Sequence, residues 1–285
     1  MAKNNTVEKR NSILGMSFFG PALVLMALFL FIPMILTLVF SFTDFFALNP
    51  SLTSFVGLDN YVALFRDRLF VQAFGNTILF VIIIVPFQMG LAFGLALFID
   101  KISFFIPVVM SLAVVSTLWM QIYNAEGILN TLLGWIGIDP QPFIYSAKQA
   151  LPSIAFMSIW QGAGYQMLIF LGGLQAISPS LYEAAEIDNA SAWAKFRYIT
   201  LPSLKPILIF VFITITIGAF KMVVQPMVMT GGGPSYSTYT LVYDIYQTGT
   251  VNWEIGTASA MSIVFAIFVI ILTIIQNKIT KDKEE

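Results

Sequence analysis

Five stretches of this chain contain no charged side chain, and each is long enough to cross a bilayer. They lie between Arg10 and Asp44, between Arg68 and Asp100, from Ile102 to Ala125, from Gln149 to Tyr182, and from Ile255 to Asn277. A helix rising about 1.5 Å per residue crosses the hydrocarbon in about 20 apolar residues. A sixth apolar stretch, Pro206 to Met229, is interrupted only by Lys221. The pattern predicts an all-α integral membrane protein with six spans, near 13–41, 73–99, 103–123, 151–174, 204–228 and 258–276. Composition agrees: 58% of residues are hydrophobic and 10% charged, against about 25% charged in soluble domains. A soluble monomer could not hide that much apolar side chain beneath a polar surface.

The inventory of reactive groups is short. There is no His and no Cys, which removes the commonest general base, the commonest metal ligand and any disulfide framework. Fourteen basic against fifteen acidic residues leave a net charge of −1, so no basic footprint for nucleic acid exists. No G-x-x-x-x-G-K-[ST] phosphate loop occurs; the one glycine run, Gly231-Gly232-Gly233-Pro234, lacks the Lys. The first span follows Lys9-Arg10 as a secretory signal would. Its apolar run exceeds the roughly 7–15 residues of a signal core, so an uncleaved span is expected.

Six spans put both termini on one side, and basic residues choose the side. With the N-terminus inside, Lys3, Lys9, Arg10, Lys101, Lys195, Arg197, Lys205, Lys278, Lys281 and Lys283 are cytoplasmic. Only Arg66, Arg68, Lys148 and Lys221 fall outside. The external loops are then about 42–72, 124–150 and 229–257, and the internal ones a tight turn at Asp100–Lys101 and the segment 175–203.

Segment 175–203 reads as structured. Ser178-Pro179 is a helix start, Leu181 to Asp188 a helix, and Asn189 a left-handed stop. Ser191 can cap a second short helix with Trp193, Phe196 and Ile199 on one apolar face, packed against the span ends. Leu201-Pro202 is expected to end it, and Pro206 to open the next span. Such a helix–turn–helix suits either the lipid surface or a groove on a cytoplasmic protein.

These residues resemble a known family. Glu183-Ala184-Ala185, three residues, Asn189, nine residues, Ile199, one residue and Leu201-Pro202 is similar to the EAA loop of ABC-importer permeases. The family's Gly is Asn189 here, the next-best residue for a left-handed turn. Met229-Thr230-Gly231-Gly232-Gly233-Pro234-Ser235 with Thr238, and Phe55-Val56-Gly57-Leu58-Asp59-Asn60-Tyr61, resemble external loops of its sugar-permease branch, that of the maltose, lactose and glycerol-phosphate importers. Val224 stands where many members carry Asp.

The resemblance implies a type I ABC importer permease fold and a subunit that is not itself an enzyme but forms half of the translocation path of an ATP-driven carbohydrate importer, with an oligosaccharide as the expected substrate. It implies a prokaryotic cell membrane and four kinds of partner: a second homologous permease, two cytoplasmic ATPases, an extracytoplasmic sugar-binding protein, and the bilayer. ATP and Mg would sit on the ATPases, with no cofactor on this chain. Coupling to the ATPase would fall to Glu183, Ala184, Ala185, Asp188, Asn189, Leu201 and Pro202. Residues 1–72 would hold the N-terminus, first span and first external loop, 73–277 the core permease domain, and 278–285 a cytoplasmic tail.

Polar groups inside spans are costly and normally face a cavity or a neighbouring helix. Trp160, Gln161, Tyr165 and Gln166 in the fourth span, with Lys221 and Gln225 in the fifth, are the candidates for a substrate path. Aromatic faces and amides suit a sugar; packing about Gly162 and Gly164 is the competing reading. Lys221 can instead snorkel outwards. Gln88, two residues past Pro86, is placed to satisfy a carbonyl freed by the proline. Gly90 and Gly94 form a G-x-x-x-G packing pair. A glycerol-phosphate-type substrate is the alternative, although no Arg lies in any span. An ion-coupled transporter would show more ionisable residues inside the spans, and a membrane enzyme would show clustered acid–base groups.

Overall fold

The computed structural model describes residues 19–98 and 110–281. The N-terminal basic residues Lys3, Lys9 and Arg10, the Asp100–Lys101 turn, the start of the expected third span and Lys283 lie outside them. Among the described residues all regular structure is helical, apart from two isolated β-bridges. The apolar helices are α1 (Phe19–Phe40), α2 (Arg68–Phe98), α3 (Leu112–Ile122), α4 (Ala150–Gln175), α5 (Lys205–Phe220) and α6 (Ile255–Lys281). By length and composition α1, α2, α4 and α6 can each cross a membrane; the 16-residue α5 meets that length only when counted with the segment bent by 63° before it. The 11-residue α3 is the described part of the expected third span.

The chain divides into two compact units. One comprises residues up to 64 with 245–267. No residue of α1 is buried within it. The loop after α1 is closely tied: Asn60 donates to the carbonyls of Ser41 and Thr43 at 3.0 and 2.8 Å, and the Tyr61 hydroxyl to Ser41 Oγ at 2.7 Å. Gly57 takes φ +58°, which only a glycine adopts cheaply. Gly256 at the start of α6 donates to the Phe45 carbonyl at 2.9 Å; a Cβ there would strike the Thr43 carbonyl.

The second unit, 65–244 with 268–285, is built on α2, α4 and α5. Its core includes Phe80, Ile84, Ile154, Met157, Met167, Phe170, Val211 and Ile215. Phe93 meets Phe170 edge-on at 5.2 Å. At Gly173 a Cβ would collide with Leu204 and Ile207, so glycine there lets α4 and the start of α5 approach closely. Gln276 of α6 donates to Thr216 Oγ1 at 3.2 Å, a polar clasp between apolar helices. Among the described residues a Cβ on Gly90 or Gly94 would meet nothing within 4 Å, so no close helix approach is made there within them.

Of two helix breaks, one departs from the expected spans and one falls where it was expected, and proline explains both. A proline cannot donate to the carbonyl four residues earlier, and its ring clashes with it. The expected fifth span, 204–228, ends at Phe220, and a separate short helix runs Val224–Met229. Pro226 would oppose the Met222 carbonyl in a continuous helix; that carbonyl instead accepts from Thr240 Oγ1 at 2.8 Å. At the other end the helix after Ser191 stops at Ser203, one residue past Leu201-Pro202, as expected. Ala192–Ser203 runs on through a π-turn at Phe196–Thr200, which accommodates Pro202. The chain then bends by 63° at Leu204, where Pro206 forbids a straight continuation.

The segment Thr230–Asp244 docks on the N-terminal part of α2. Gln72 donates to the Ser235 carbonyl, Asn76 to those of Tyr236 and Tyr239, and the Leu241 N–H to Thr77 Oγ1, at 2.7–3.1 Å. Gly231 and Gly232 turn the chain with φ +57° and +85°. Asp244 lies beneath this segment at 3% exposure, with the Tyr239 hydroxyl hydrogen-bonded to it and Oδ2 unpartnered.

Candidate functional site

The 178–203 knob is assembled by short-range rules. Ser178 adopts an extended cap conformation and Pro179 takes the first helical position of Pro179–Ile187. The Ser178 hydroxyl pairs with Ser180 Oγ at 2.8 Å and does not cap the backbone. Asn189 turns left-handed at φ +52°, and two hydrogen bonds close the helix: Asn189 N–H to the Glu186 carbonyl at 3.0 Å and Ala190 N–H to the Ala185 carbonyl at 2.8 Å. That pair of bonds is the Schellman arrangement. Ser191 Oγ then accepts from Ala194 N–H at 3.2 Å.

Three contacts hold the two short helices together and to the spans. Tyr182 and Thr200 share a hydroxyl hydrogen bond of 2.8 Å. Lys195 pairs with Glu186 at 2.8 Å, and this hydrogen bond holds the Glu186 carboxyl below its ordinary range. Phe196 packs against Phe93 of α2 at 6.1 Å. Trp193 does not pack on the spans: it leans on Phe196 at 5.6 Å and stays 70% exposed, since it projects past the ring that makes the contact. Glu183, Ala184, Asp188 and Asn189 are exposed, as are Leu181, Ile187 and Tyr198, whereas Ala185 is half-buried. Leu201 and Pro202 sit on the last turn before the 63° bend, at the junction of knob and α5.

A polar cavity of about 130 Å³ opens between α2, α4, α5 and the Val224–Met229 helix. Gln88, Gln161, Gln166 and Gln225 line it, with Ser158 and Thr214. Among the described residues no charged side chain lines it. Gln88 Nε2 donates to Gln166 Oε1 at 3.0 Å, both residues buried, so Gln88 serves a partner helix and not a carbonyl freed by Pro86. Gly162 makes room: a Cβ there would strike the Gln88 amide.

The six candidate path residues thus separate. Gln161, Gln166 and Gln225 come together, with Gln88 added by tertiary packing. Trp160, 40% exposed, lies elsewhere on α4, edge-on to Trp119 at 5.4 Å. Tyr165 is 49% exposed and does not line the cavity. Lys221 caps the end of α5 and is exposed, because the break after Phe220 turns it out of the span.

Residues 91–284 match the family described as the inner membrane component of binding-protein-dependent transport systems. The chain is 35% identical over 97% of its length to the probable ABC transporter permease protein YurN of Bacillus subtilis, covering 99% of it. It is 33% identical over 95% of its length to the sulfoquinovosyl glycerol transport system permease protein SmoG of Agrobacterium fabrum, covering 92% of that protein. It is 30% identical to the lactose transport system permease protein LacF of Rhizobium radiobacter, with 98% of each chain covered. In fold it is similar to a chain of a bacterial ABC transporter involved in import of the acidic polysaccharide alginate, with a TM-score of 0.83, 22% identity, and coverage of 98% and 99%.

Proposed function

The chain belongs to the binding-protein-dependent transport system inner membrane components, and on that premise we propose that it is one of two permease subunits of an ATP-driven importer of neutral carbohydrates. It is a transport component of a membrane assembly, not an enzyme. Six spans cross the membrane in this reading, with both termini cytoplasmic. A second permease completes the path, two ATPases carrying ATP and Mg supply the work, and an extracytoplasmic binding protein delivers the sugar. Relatives named for lactose and sulfoquinovosyl glycerol support a carbohydrate. A relative named for sn-glycerol-3-phosphate keeps a phosphorylated substrate as the alternative. The glutamine cavity, lined by no basic side chain among the described residues, favours a neutral one.

The observation that carries the reading is the knob. It exposes Glu183, Ala184, Leu181 and Ile187, surface suited to a groove on another protein. The same knob is fastened to α2 by Phe196 and runs through Leu201-Pro202 into α5. A push on the knob therefore reaches the helices that line the glutamine cavity, as alternating access requires. At about 130 Å³ that cavity is smaller than the roughly 300 Å³ and upward of complete ligand sites. It is half of a path, widened on opening and faced by the second permease. Trp160 and Tyr165, exposed along α4, are the aromatic surfaces this chain offers to the shared part.

Reversing the charge at the knob tests the coupling. Glu183→Lys is expected to abolish ATP-dependent sugar uptake in cells while the chain remains inserted and its second permease still co-purifies. Normal uptake by that variant refutes the coupling role.

A further inference from the structure

A second cavity, of about 440 Å³, lies away from the glutamine cluster, where the first two turns of α4 meet the 124–149 loop. Its walls include Leu129, Leu133, Phe143, Pro152 and Phe156. Two glutamines near it are already engaged: Gln149 Nε2 donates to Gln141 Oε1 at 3.0 Å, and Phe143 N–H donates to Gln149 Oε1 at 2.9 Å. The Tyr123 hydroxyl is likewise committed, to the Ser153 carbonyl at 2.8 Å. Little hydrogen-bonding capacity is left for a sugar. The one charged residue lining the cavity is Lys148, which is exposed and forms no ion pair among the described residues.

An apolar slot with a single cation at its mouth matches an amphiphile bearing one negative charge. Pro152, Ser153 and Phe156 stand within the first seven residues of α4, about 10 Å from its end at about 1.5 Å per residue. Since α4 crosses the membrane, that end lies at the headgroup level, where the two halves of a phospholipid separate. We propose that this cavity is a binding site for an anionic glycerophospholipid of the outer leaflet, an acyl chain in the apolar slot and the phosphate on Lys148. The proposal rests on the membrane orientation given above for α4 and is independent of which substrate is carried.

The test is native mass spectrometry of the assembled importer in mild detergent, after delipidation and addition of phosphatidylglycerol or phosphatidylcholine with the same acyl chains. The wild-type complex is expected to retain phosphatidylglycerol preferentially. Lys148→Glu should weaken that retention about five-fold or more, the ratio given by about 1 kcal/mol per basic residue at a membrane surface. Lys148→Arg should restore it. Leu133→Trp, which fills the slot, should weaken retention of both lipids. Equal retention of the two lipids by the wild type, or undiminished phosphatidylglycerol on Lys148→Glu, overturns the proposal. A photocrosslinker at position 133 that captures another subunit in place of lipid also overturns it. Assembly of the complex and sugar uptake are read on the same preparations, so a failed importer assignment is distinguishable from a failed lipid site.

Discussion

Asp244 offers a test with a defined sign. Burial beneath the 230–243 segment pushes its carboxyl up from an ordinary 3.8 to about 6, opposed by the Tyr239 hydrogen bond and reinforced by the nearby Asp67. A folded-state value above the unfolded one means that the folded protein binds the extra proton. Stability from this group is therefore fullest at low pH and declines as pH rises from about 4 to about 6. Above that range the ionised carboxylate costs about 3 kcal/mol relative to a group of ordinary pKa. Asp244→Asn keeps the shape and removes the charge. In thermal unfolding of the detergent-solubilised importer the variant should exceed the wild type at pH 8, and about half of its advantage should vanish by pH 5. The same comparison in an Asp67→Asn background should show a smaller gap. A gap that does not change between pH 5 and 8, or a variant less stable than the wild type at pH 8, refutes the burial argument.

Two further substitutions probe the local geometry. Gly162→Ala should force the Gln88 amide off Gln166 and cost about 1–3 kcal/mol for a buried group left unpaired. The same change in a Gln88→Ala background should cost little more, as read by thermal unfolding in detergent. Asn189→Gly should leave uptake intact, because glycine accepts φ +52° freely, while Asn189→Val should cost about 1–2 kcal/mol at that turn and reduce uptake by an inserted chain.

Much of the architecture is legible along the chain because its causes are local. Uncharged intervals mark α1, α2, α4 and α6 to within a few residues at most of their ends. The knob follows the same logic: Pro179 at a first turn, Asn189 where a left-handed residue is needed, and Ser191 as a cap are each decided by neighbours a few positions away. The second knob helix ends where Leu201-Pro202 predicts to within a residue, a π-turn at Phe196–Thr200 carrying it to Ser203. The break at Leu204 falls between the two prolines that predict it, whereas the break after Phe220 was hidden because Pro226 lies beyond it and acts on a carbonyl four residues earlier.

The glutamine cluster was only partly legible. Gln161 and Gln166 stand out as polar residues in an apolar helix, but α2 and α4 are apolar around most of their circumference and present no obvious inner face. That Gln88 faces Gln166 while Trp160 stays exposed is decided by how α2 crosses α4, with Gly162 permitting the approach. The same holds for Asp244, whose burial depends on Gln72, Asn76 and Thr77 of a helix more than 160 residues earlier. By itself the sequence determined a helical membrane chain and its helix–turn–helix knob, since hydrophobic length and turn chemistry are properties of contiguous residues. Tertiary structure alone decided which polar side chains share a cavity and which carboxyl loses its water, because those depend on partners that contiguity cannot name.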